Sequence, residues 1–370
     1  MKKEIGLYLH IPFCVRKCAY CDFASFAGRE GQMIPYVDRV IREMDEKSSP
    51  DFVISTLYIG GGTPSLLPAA LMDRLLNALR ARFAFLPDAE CSCECNPGTV
   101  TEEFLAVLRR HGVNRLSLGA QACQPRLLAL LGRIHTWDQV AASVDLARRA
   151  GFRNINLDLM LGLPTQTVAQ VEETLAAALA LSPTHLSCYG LIVEEGTAMH
   201  DMVKKGAWIL PEEDAERDMY EACRKSLADH GFEQYEISNF ALPGCACRHN
   251  VDCWRRKEYL GLGSAACGFL GNIRYQNPPD TNDYLAGKPA RETVLSPEDA
   301  RFESVMLGLR MMEGVSEAAF FRMHGVSLRD AFGAKLEKPL RQGLVTWENG
   351  RLRLTRRGMD LQNSVLVELL

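Results

Sequence analysis

The sequence has no apolar run approaching the ~18 residues that a bilayer-spanning helix needs. It also has no dominant sign of charge. The formal net charge is −4, so no overall basic field points to nucleic acid or to an anionic membrane. Internal repeats and low-complexity linkers are missing as well. The start, Met1-Lys2-Lys3-Glu4-Ile5, imitates a secretion signal only briefly. His10 and Pro12 break its apolar run, and no small-residue cleavage site follows. What these absences leave is a chain of 370 residues, 47% hydrophobic and 24% charged. That is ordinary for a soluble globular protein. The length allows two or three domains, or one α/β barrel with an appendage.

Cysteine is plentiful, but the even pairing of a short secreted framework is missing. Thirteen is an odd number in a long chain, and the pattern reads as a reduced cytoplasm. Cys91, Cys123 and Cys223 read as small core residues. The exception is Cys14-Val15-Arg16-Lys17-Cys18-Ala19-Tyr20-Cys21, with three cysteines in eight residues. They are too close for ordinary disulfides and one ligand short of a closed zinc site, which takes four. Iron–sulfur clusters are normally held by four cysteines. Three thiolates would leave one iron of a [4Fe–4S] cubane free to bind a substrate or cofactor. A zinc knuckle borrowing a distant ligand, or three incidental thiols, is the alternative.

Periodicity organises the rest. Short apolar runs at Ile5–His10, Thr56–Ile59, Glu90–Glu94, Arg115–Gly119, Asn154–Leu159 and His185–Gly190 read as strands. Helical spacing at Pro35–Asp45, Leu71–Phe83, Glu102–Arg110, Trp137–Ala150 and Val168–Leu181 alternates with them. Six strands alternating with helices imply a parallel sheet with crossover helices. Chemically interesting residues follow nearly every strand, which favours an incomplete (β/α)6 TIM-type barrel over a doubly wound sheet with one switch point. Beyond it, Glu212–His230 reads as a helix, Tyr235–Phe240 as a strand and Cys245–Gly268 as a polar, aromatic, Gly-rich segment. Arg301–Met312, Leu328–Ala334 and Leu336–Gly343 read as helices. Leu344–Trp347 and Arg351–Leu354, joined by Glu348-Asn349-Gly350, read as a hairpin. This end is expected to be an α+β winged-helix-like accessory domain. The basic run Arg351, Arg353, Arg356 and Arg357 is short, and a partner surface is preferred to DNA binding. The expected boundaries are 1–200 for the barrel, 201–294 for a flanking segment and 295–370 for the accessory domain.

Several strand-end residues suggest a binding site. Gly60-Gly61-Gly62-Thr63-Pro64 begins 39 residues after Cys21, and its glycines let the backbone approach a ligand. Glu94 can accept hydrogen bonds from a ribose hydroxyl or an ammonium; a solvated rim charge is the plain alternative. Gln121, Arg133 and Asp158 form a polar set. Arg133 suits a ligand carboxylate or a structural ion pair with Asp158.

The Cys-x3-Cys-x2-Cys spacing resembles that of radical SAM enzymes. In that superfamily S-adenosylmethionine chelates the open iron, and one electron from the reduced cluster breaks its sulfonium bond. Tyr8-x-His10-Ile11-Pro12-Phe13-Cys14, Asn114-Arg115-Leu116-Ser117-Leu118-Gly119-Ala120-Gln121 and Leu131-Gly132-Arg133-Ile134-His135 narrow the resemblance to the HemN/HemW branch. That branch holds oxygen-independent coproporphyrinogen III oxidases and heme chaperones, and the resemblance covers essentially the whole chain. It implies that Cys14, Cys18 and Cys21 hold the cluster. It implies that Tyr8, Gly61, Gly62, Thr63, Glu94, Gln121, Arg133 and Asp158 line the S-adenosylmethionine pocket, with Tyr20 packed beside Cys21.

Three features favour the chaperone side. Phe23 stands where the oxidases carry a fourth cysteine. Only seven residues precede Tyr8. Cys247-Arg248-His249-Asn250-Val251-Asp252-Cys253-Trp254 resembles the chaperones' His-Asn-x-x-Tyr-Trp heme motif. The last match departs from its pattern, because Cys253 replaces the tyrosine, and Cys267 stands where relatives usually carry histidine. Drift, a small apolar cysteine replacing a larger group, is one reading of both changes. An axial heme ligand chosen from His249, Cys253 and Cys267 is the sharper reading. The expected function is thus a heme chaperone carrying a [4Fe–4S] cluster and S-adenosylmethionine and delivering heme to respiratory proteins. Oxidative decarboxylation of coproporphyrinogen is the alternative, and a purely structural iron–sulfur protein is a third reading. An electron donor, transient membrane-protein contact and a homodimer are compatible additions; nucleic acid is not expected.

Overall fold

The computed structural model describes residues 2–370, and alternation along six strands sets its plan. β1 (Lys3–Ile11), β2 (Phe52–Gly61), β3 (Ala84–Cys95), β4 (Arg115–Gln121), β5 (Asn154–Leu161) and β6 (His185–Gly190) run parallel and pair in sequence order. Successive side chains point to opposite faces. One set, including Leu7, Leu9, Leu57, Ile59, Leu116, Leu118 and Leu157, is buried in a single apolar core. That core lies between the sheet and the helices Met33–Lys47, Ala69–Arg82, Glu102–Arg110, Trp137–Arg149 and Val168–Ala180, which bury Val37, Leu76, Leu108, Val144 and Leu175 in it. The other set is polar almost without exception: Tyr8 and His10, Tyr58, Ser92 and Glu94, Ser117, Asn156 and Asp158, Ser187 and Tyr189. It faces the lumen.

Local signals fix the helices. Thr136 and Thr167 begin theirs with complete capping boxes, each paired with a glutamine three residues on (Gln139, Gln170). Thr101 accepts the Phe104 N–H at 3.1 Å. Such caps contribute about 1 kcal/mol each; burial of the leucine faces contributes about 1.5–3 kcal/mol per side chain.

The strand order excludes the doubly wound alternative. β1 and β6 do not meet, so the barrel is incomplete, and each edge is extended instead. β9 (Tyr259–Leu262) lies parallel to β1, with β10 (Cys267–Leu270), β11 (Ile273–Gln276) and β12 (Arg291–Val294) antiparallel beyond it. At the other edge β8 (Asn239–Ala241) pairs with β6, and β7 (Glu233–Glu236) with β8. The result is one twelve-stranded sheet.

Three expectations need correction. Tyr235–Phe240 is a tight hairpin, not one strand. The Glu236 carboxylate accepts the Ser238 N–H at 3.0 Å and the Asn239 side-chain amide at 2.5 Å, turning the chain between β7 and β8. The segment Cys245–Gly268 is largely regular: it holds the helix Arg248–Trp254, β9 and the start of β10. That helix stoppers the lower end of the lumen, where Glu90 on β3 accepts the N–H groups of Arg248 and His249. Leu328–Arg341 is one helix rather than two; nothing near Ala334 or Lys335 breaks it, and Pro339 sits close to its end.

The carboxyl-terminal part has its own core of Val305, Leu309, Phe320, Leu328, Phe332, Leu336, Leu352 and Val365. Its three-stranded sheet joins β13 (Val315–Ser316), β14 (Val345–Glu348) and β15 (Arg351–Leu354). Asn349 (φ 50°) and Gly350 (φ 71°) make the expected hairpin turn, both with positive φ. Among the described residues no helix is long and apolar enough to cross a membrane.

The two faces of β4 should respond differently to truncation. Leu116→Ala is expected to cost about 2–5 kcal/mol of unfolding free energy, and the neighbouring Ser117→Ala about 1 kcal/mol. Urea denaturation of the two variants checks the order.

Candidate cofactor and metal site

At the carboxyl ends of the strands the lumen widens into a cavity of about 470 Å³. Cys14, Cys18 and Cys21 all line it, together with Tyr20, Gly61, Gly62, Glu94, Gln121, Arg133 and Asp158. Of the candidate cofactor and heme residues singled out from the sequence, five do not reach its wall: Tyr8, Thr63, His249, Cys253 and Cys267.

The cysteine loop is held from both sides. The Cys14 N–H donates to Phe26 O at 3.0 Å, and the Ala19 N–H donates to Leu131 O at 2.9 Å. The glycine loop after β2 docks onto it through Gly62 N–H to Ile11 O and Thr63 N–H to Phe13 O, both 2.8 Å. A Cβ on Gly62 would stand 2.8 Å from Phe13 O and 3.0 Å from Cys14 Sγ; one on Gly61, at φ 114°, would stand 2.5 Å from the His10 ring. No other residue type fits either place. His10 in turn fixes the loop, its Nε2 bonded to Ala24 O at 2.9 Å and its Nδ1 to the Tyr8 hydroxyl at 2.9 Å. Tyr8 therefore lies beneath the site and supports it. Thr63 contacts Cys14 Sγ at 3.5 Å from behind and accepts from the Asn96 amide at 2.7 Å.

All three thiols are free. Among the described residues no three cysteine, histidine or acidic side chains stand close enough to hold a single metal ion. Three thiols are the kind of donor that iron–sulfur clusters take. A fourth thiol, Cys95 at the end of β3, also lines the cavity but is 3% exposed, and within the cysteine loop position 23 is Phe23, which lines the cavity and is 64% exposed.

Of the two arginines that line the cavity, Arg16 is exposed and Arg133 is held among its walls. Arg133 donates to Asn96 Oδ1 at 2.9 Å, Gly119 O at 2.6 Å and Cys18 Sγ at 3.7 Å, and its Nε has no partner. The ion pair with Asp158 is not made. Asp158 instead accepts from Ser117 (3.1 Å), Asn156 (2.7 Å) and Tyr189 (2.8 Å). A guanidinium without a carboxylate beside three thiols leaves a place for an anionic group. Gln121 ends β4 in the left-handed region (φ 65°) after a break in register. A non-glycine residue there stores roughly 1–3 kcal/mol of strain, and such residues cluster at ligand sites.

Glu94 accepts from the Tyr58 hydroxyl at 2.9 Å and the Gly61 N–H at 3.1 Å. Burial, and then the charge of Asp158, push its carboxyl up to about 7. Sequence reading missed Tyr189 and Asn96, which both touch the predicted set. The lumen-facing alternation His185, Ser187, Tyr189 is the signal that would have found the first.

His249 sits at the opposite end of the lumen. Its Nδ1 bonds Thr56 Oγ1 at 2.9 Å, and its ring stacks on Tyr58 with centroids 5.3 Å apart. Burial, and then the Arg115 charge, lower it to about 4, so it is neutral. It is 6% exposed. Cys253, by contrast, lines a separate cleft of about 400 Å³ with Trp254, Tyr259, Phe269, Arg274 and Met306. Burial pushes its thiol up to about 12. Cys267 is half-buried, its thiol directed to Ala265 O at 3.9 Å.

A carboxyl whose folded pKa exceeds its unfolded one binds a proton more readily in the native state. Glu94 should therefore cost stability as pH rises from about 4.5 to about 7. Relative to wild type, Glu94→Gln is expected to gain roughly 1–3 kcal/mol between pH 5 and pH 8. Urea titrations of both proteins at the two pH values measure this, and an equal pH response in the two would contradict it.

The chain matches the family model of the radical SAM superfamily over residues 8–178 and that of the HemN C-terminal domain over residues 295–361. The heme chaperone HemW of Lactococcus lactis is 37% identical, covering 100% of this chain and 98% of that protein. The heme chaperone HemW of Escherichia coli is 35% identical, covering 98% and 97%. Among solved structures, coproporphyrinogen III oxidase (HemN) from Escherichia coli, a radical SAM enzyme, superposes with a TM-score of 0.87. It is 25% identical and covers 100% of this chain and 90% of that one. Full-length likeness at these identities means that the chain belongs to the radical SAM superfamily and, within its HemN/HemW branch, to the family of the HemW heme chaperones.

Proposed function

We propose that this protein is a heme chaperone that carries a [4Fe–4S] cluster and S-adenosylmethionine and passes heme to respiratory acceptor proteins. The observation that carries the reading is the cysteine loop on the cavity wall, which presents Cys14, Cys18 and Cys21 together with Phe23. When bound, the cluster and S-adenosylmethionine supply one-electron chemistry at a sulfonium. Cys14, Cys18 and Cys21 hold the cluster. Arg133 faces a carboxylate of the cofactor, Glu94 accepts from its ammonium or ribose hydroxyls, and the Gly61–Gly62 backbone lies against it. Gln121 and Asp158 complete the wall, with Tyr8 and Thr63 supporting it from behind. Thirteen free thiols suit a reducing cytoplasm.

Heme is assigned to the segment His249–Trp254. Within it the cleft beside Cys253 is better suited to a macrocycle than the buried imidazole. It is lined by Tyr259 and by Phe269, whose ring lies under Arg256 and Arg274, and a propionate would have to compete with Asp252 for Lys257 and with Glu303 for Arg274. A thiol near 12 ligates only after losing its proton, which ferric iron promotes.

The oxidase reading draws on the close superposition with HemN. Anaerobic heme titration and coproporphyrinogen turnover, run side by side on the reconstituted protein, separate the two. Heme binding with a Soret band and no protoporphyrinogen is expected; turnover would replace the chaperone reading. In the same titration Cys253→Ala is expected to move the Soret band. His249→Ala should leave the band in place and lower the melting midpoint, since it removes the Thr56 hydrogen bond and the Tyr58 stack. A lost band in His249→Ala, with Cys253→Ala unchanged, would return the ligand to the histidine.

A further inference from the structure

The cysteine loop has an outer side as well as a cavity side. Of its three thiol residues, Cys18 alone lines both the cavity and a second, small surface cleft, which it shares with Val15, Arg16, Gly132, Ile134 and His135. The turn after the helix Pro125–Leu130 packs directly onto this part of the loop. Leu131 O accepts the Ala19 N–H at 2.9 Å, and a Cβ on Gly132 would stand 3.8 Å from the Cys18 Cα. Little protein therefore lies between Cys18 and the surface. The cleft holds about 30 Å³, room for a water or two and for no organic molecule. Anything larger that acts on Cys18 from this side does so by touching the rim.

That rim is apolar and cationic. Val15 is 51% exposed and Ile134 59%. A single exposed aliphatic side chain is ordinary, but here two flank one cleft beside a thiol of the loop. Arg16 is exposed and, among the described residues, enters no ion pair. Lys17, next in the chain, is exposed and donates only to backbone carbonyls, Phe23 O at 2.9 Å and Ser25 O at 3.5 Å. No carboxylate lines the cleft; Asp22 and Glu194 stand on the cavity side. In a chain of net charge −4 this is a local positive face.

The next step rests on the proposed function, in which the loop holds a cluster that must be given one electron and S-adenosylmethionine occupies the cavity. The cavity side is then filled, and the outer cleft is the open approach to Cys18. We infer that Val15, Arg16 and Ile134 form the docking face for the reductant, and that the reductant is a small acidic flavoprotein. The aliphatic pair suits the apolar methyl edge that a protein-bound flavin exposes, and the cations suit carboxylates around it. Transient electron-transfer contacts are small, under about 1,200 Å² in total, so a patch of this kind is enough for their centre. The reduced flavin, an anion, gives up one electron and becomes the neutral radical; the cluster gains that electron. No proton moves and no bond in this chain breaks.

The test uses the full-length reconstituted protein, kept anaerobic, and a purified acidic FMN protein in its fully reduced form. Stopped-flow mixing follows the bleaching of the cluster's visible absorption. For wild type the rate should fall steeply as salt is added. Arg16→Glu is expected to slow bleaching about tenfold at low salt and to flatten the salt dependence. Ile134→Glu should slow it as well, by placing a carboxylate at the centre of the face. A photoreduced deazaflavin, which is small and needs no docking face, should bleach wild type and both variants alike. Should Arg16→Glu fail with the deazaflavin too, Arg16→Gln takes its place, with a smaller loss expected. Equal bleaching by the flavoprotein in wild type and both variants overturns the proposal. So does a slowed reaction in Ile192→Glu, at the cavity mouth, with Ile134→Glu unchanged. An iron–sulfur carrier of matched charge that outpaces the flavoprotein overturns the choice of flavin. A chain that takes up no cluster is recognised by its missing absorption; it sinks the proposed function, and this face with it.

Discussion

A strand in a barrel shows one residue to the lumen for every one it shows to the outer helices, and in this protein the lumen side is polar. Everything else follows from satisfying those groups away from bulk water, where an unpaired amide or hydroxyl is costly. Asn156 is a joint in the network: its side-chain amide donates to Ser117 and to Asp158, and its carbonyl meets His185 and Ser187. Tyr58 links the two ends, since its hydroxyl reaches up to Glu94 and its ring carries His249 below. The apolar core has been displaced to the outside, between sheet and helices, where the leucine faces meet.

This arrangement explains why the cavity is both polar and well defined. Rigid strands deliver Glu94, Gln121 and Asp158 to one level, and two loops close over them. The loops touch so closely that Gly61 and Gly62 admit no side chain. Burial, and after it the charge of Asp158, keeps Glu94 partly protonated near neutrality, so its ability to accept a hydrogen bond from a cation strengthens as the pH rises.

Much of this was legible in the sequence because the signals were local. Short apolar runs alternating with helical spacing gave the six parallel strands in order, and the cysteine spacing pointed to the loop that lines the cavity. What stayed hidden depended on distant partners. The hairpin at Ile237-Ser238 is made by the Glu236 side chain folding back, which no propensity records. β9 is a short segment rich in glycine, and it becomes a strand only because the edge of β1 is there to receive it. His249 reads from its motif as a ligand, yet the lumen claims its ring through Thr56 and Tyr58. The cleft beside Cys253 forms between segments some fifty residues apart, Cys253 to Lys257 and Glu303 to Leu307, and no local pattern announces it.

The place of β1 has a consequence for how the molecule comes into being. The strand that leads into the cysteine loop is an interior one, with β2 on one side and β9 on the other, so Gly6 lies beside Tyr259. A ribosome releases β1 first and its second neighbour only after two thirds of the chain has followed. Contacts of such long sequence separation form slowly. Until then the first strand has an open hydrogen-bonding edge, and the lumen has no stopper. Synthesis of the cysteine loop and completion of the barrel edge are thereby separated in time, and the last strands to arrive close a floor beneath a loop that was made long before them.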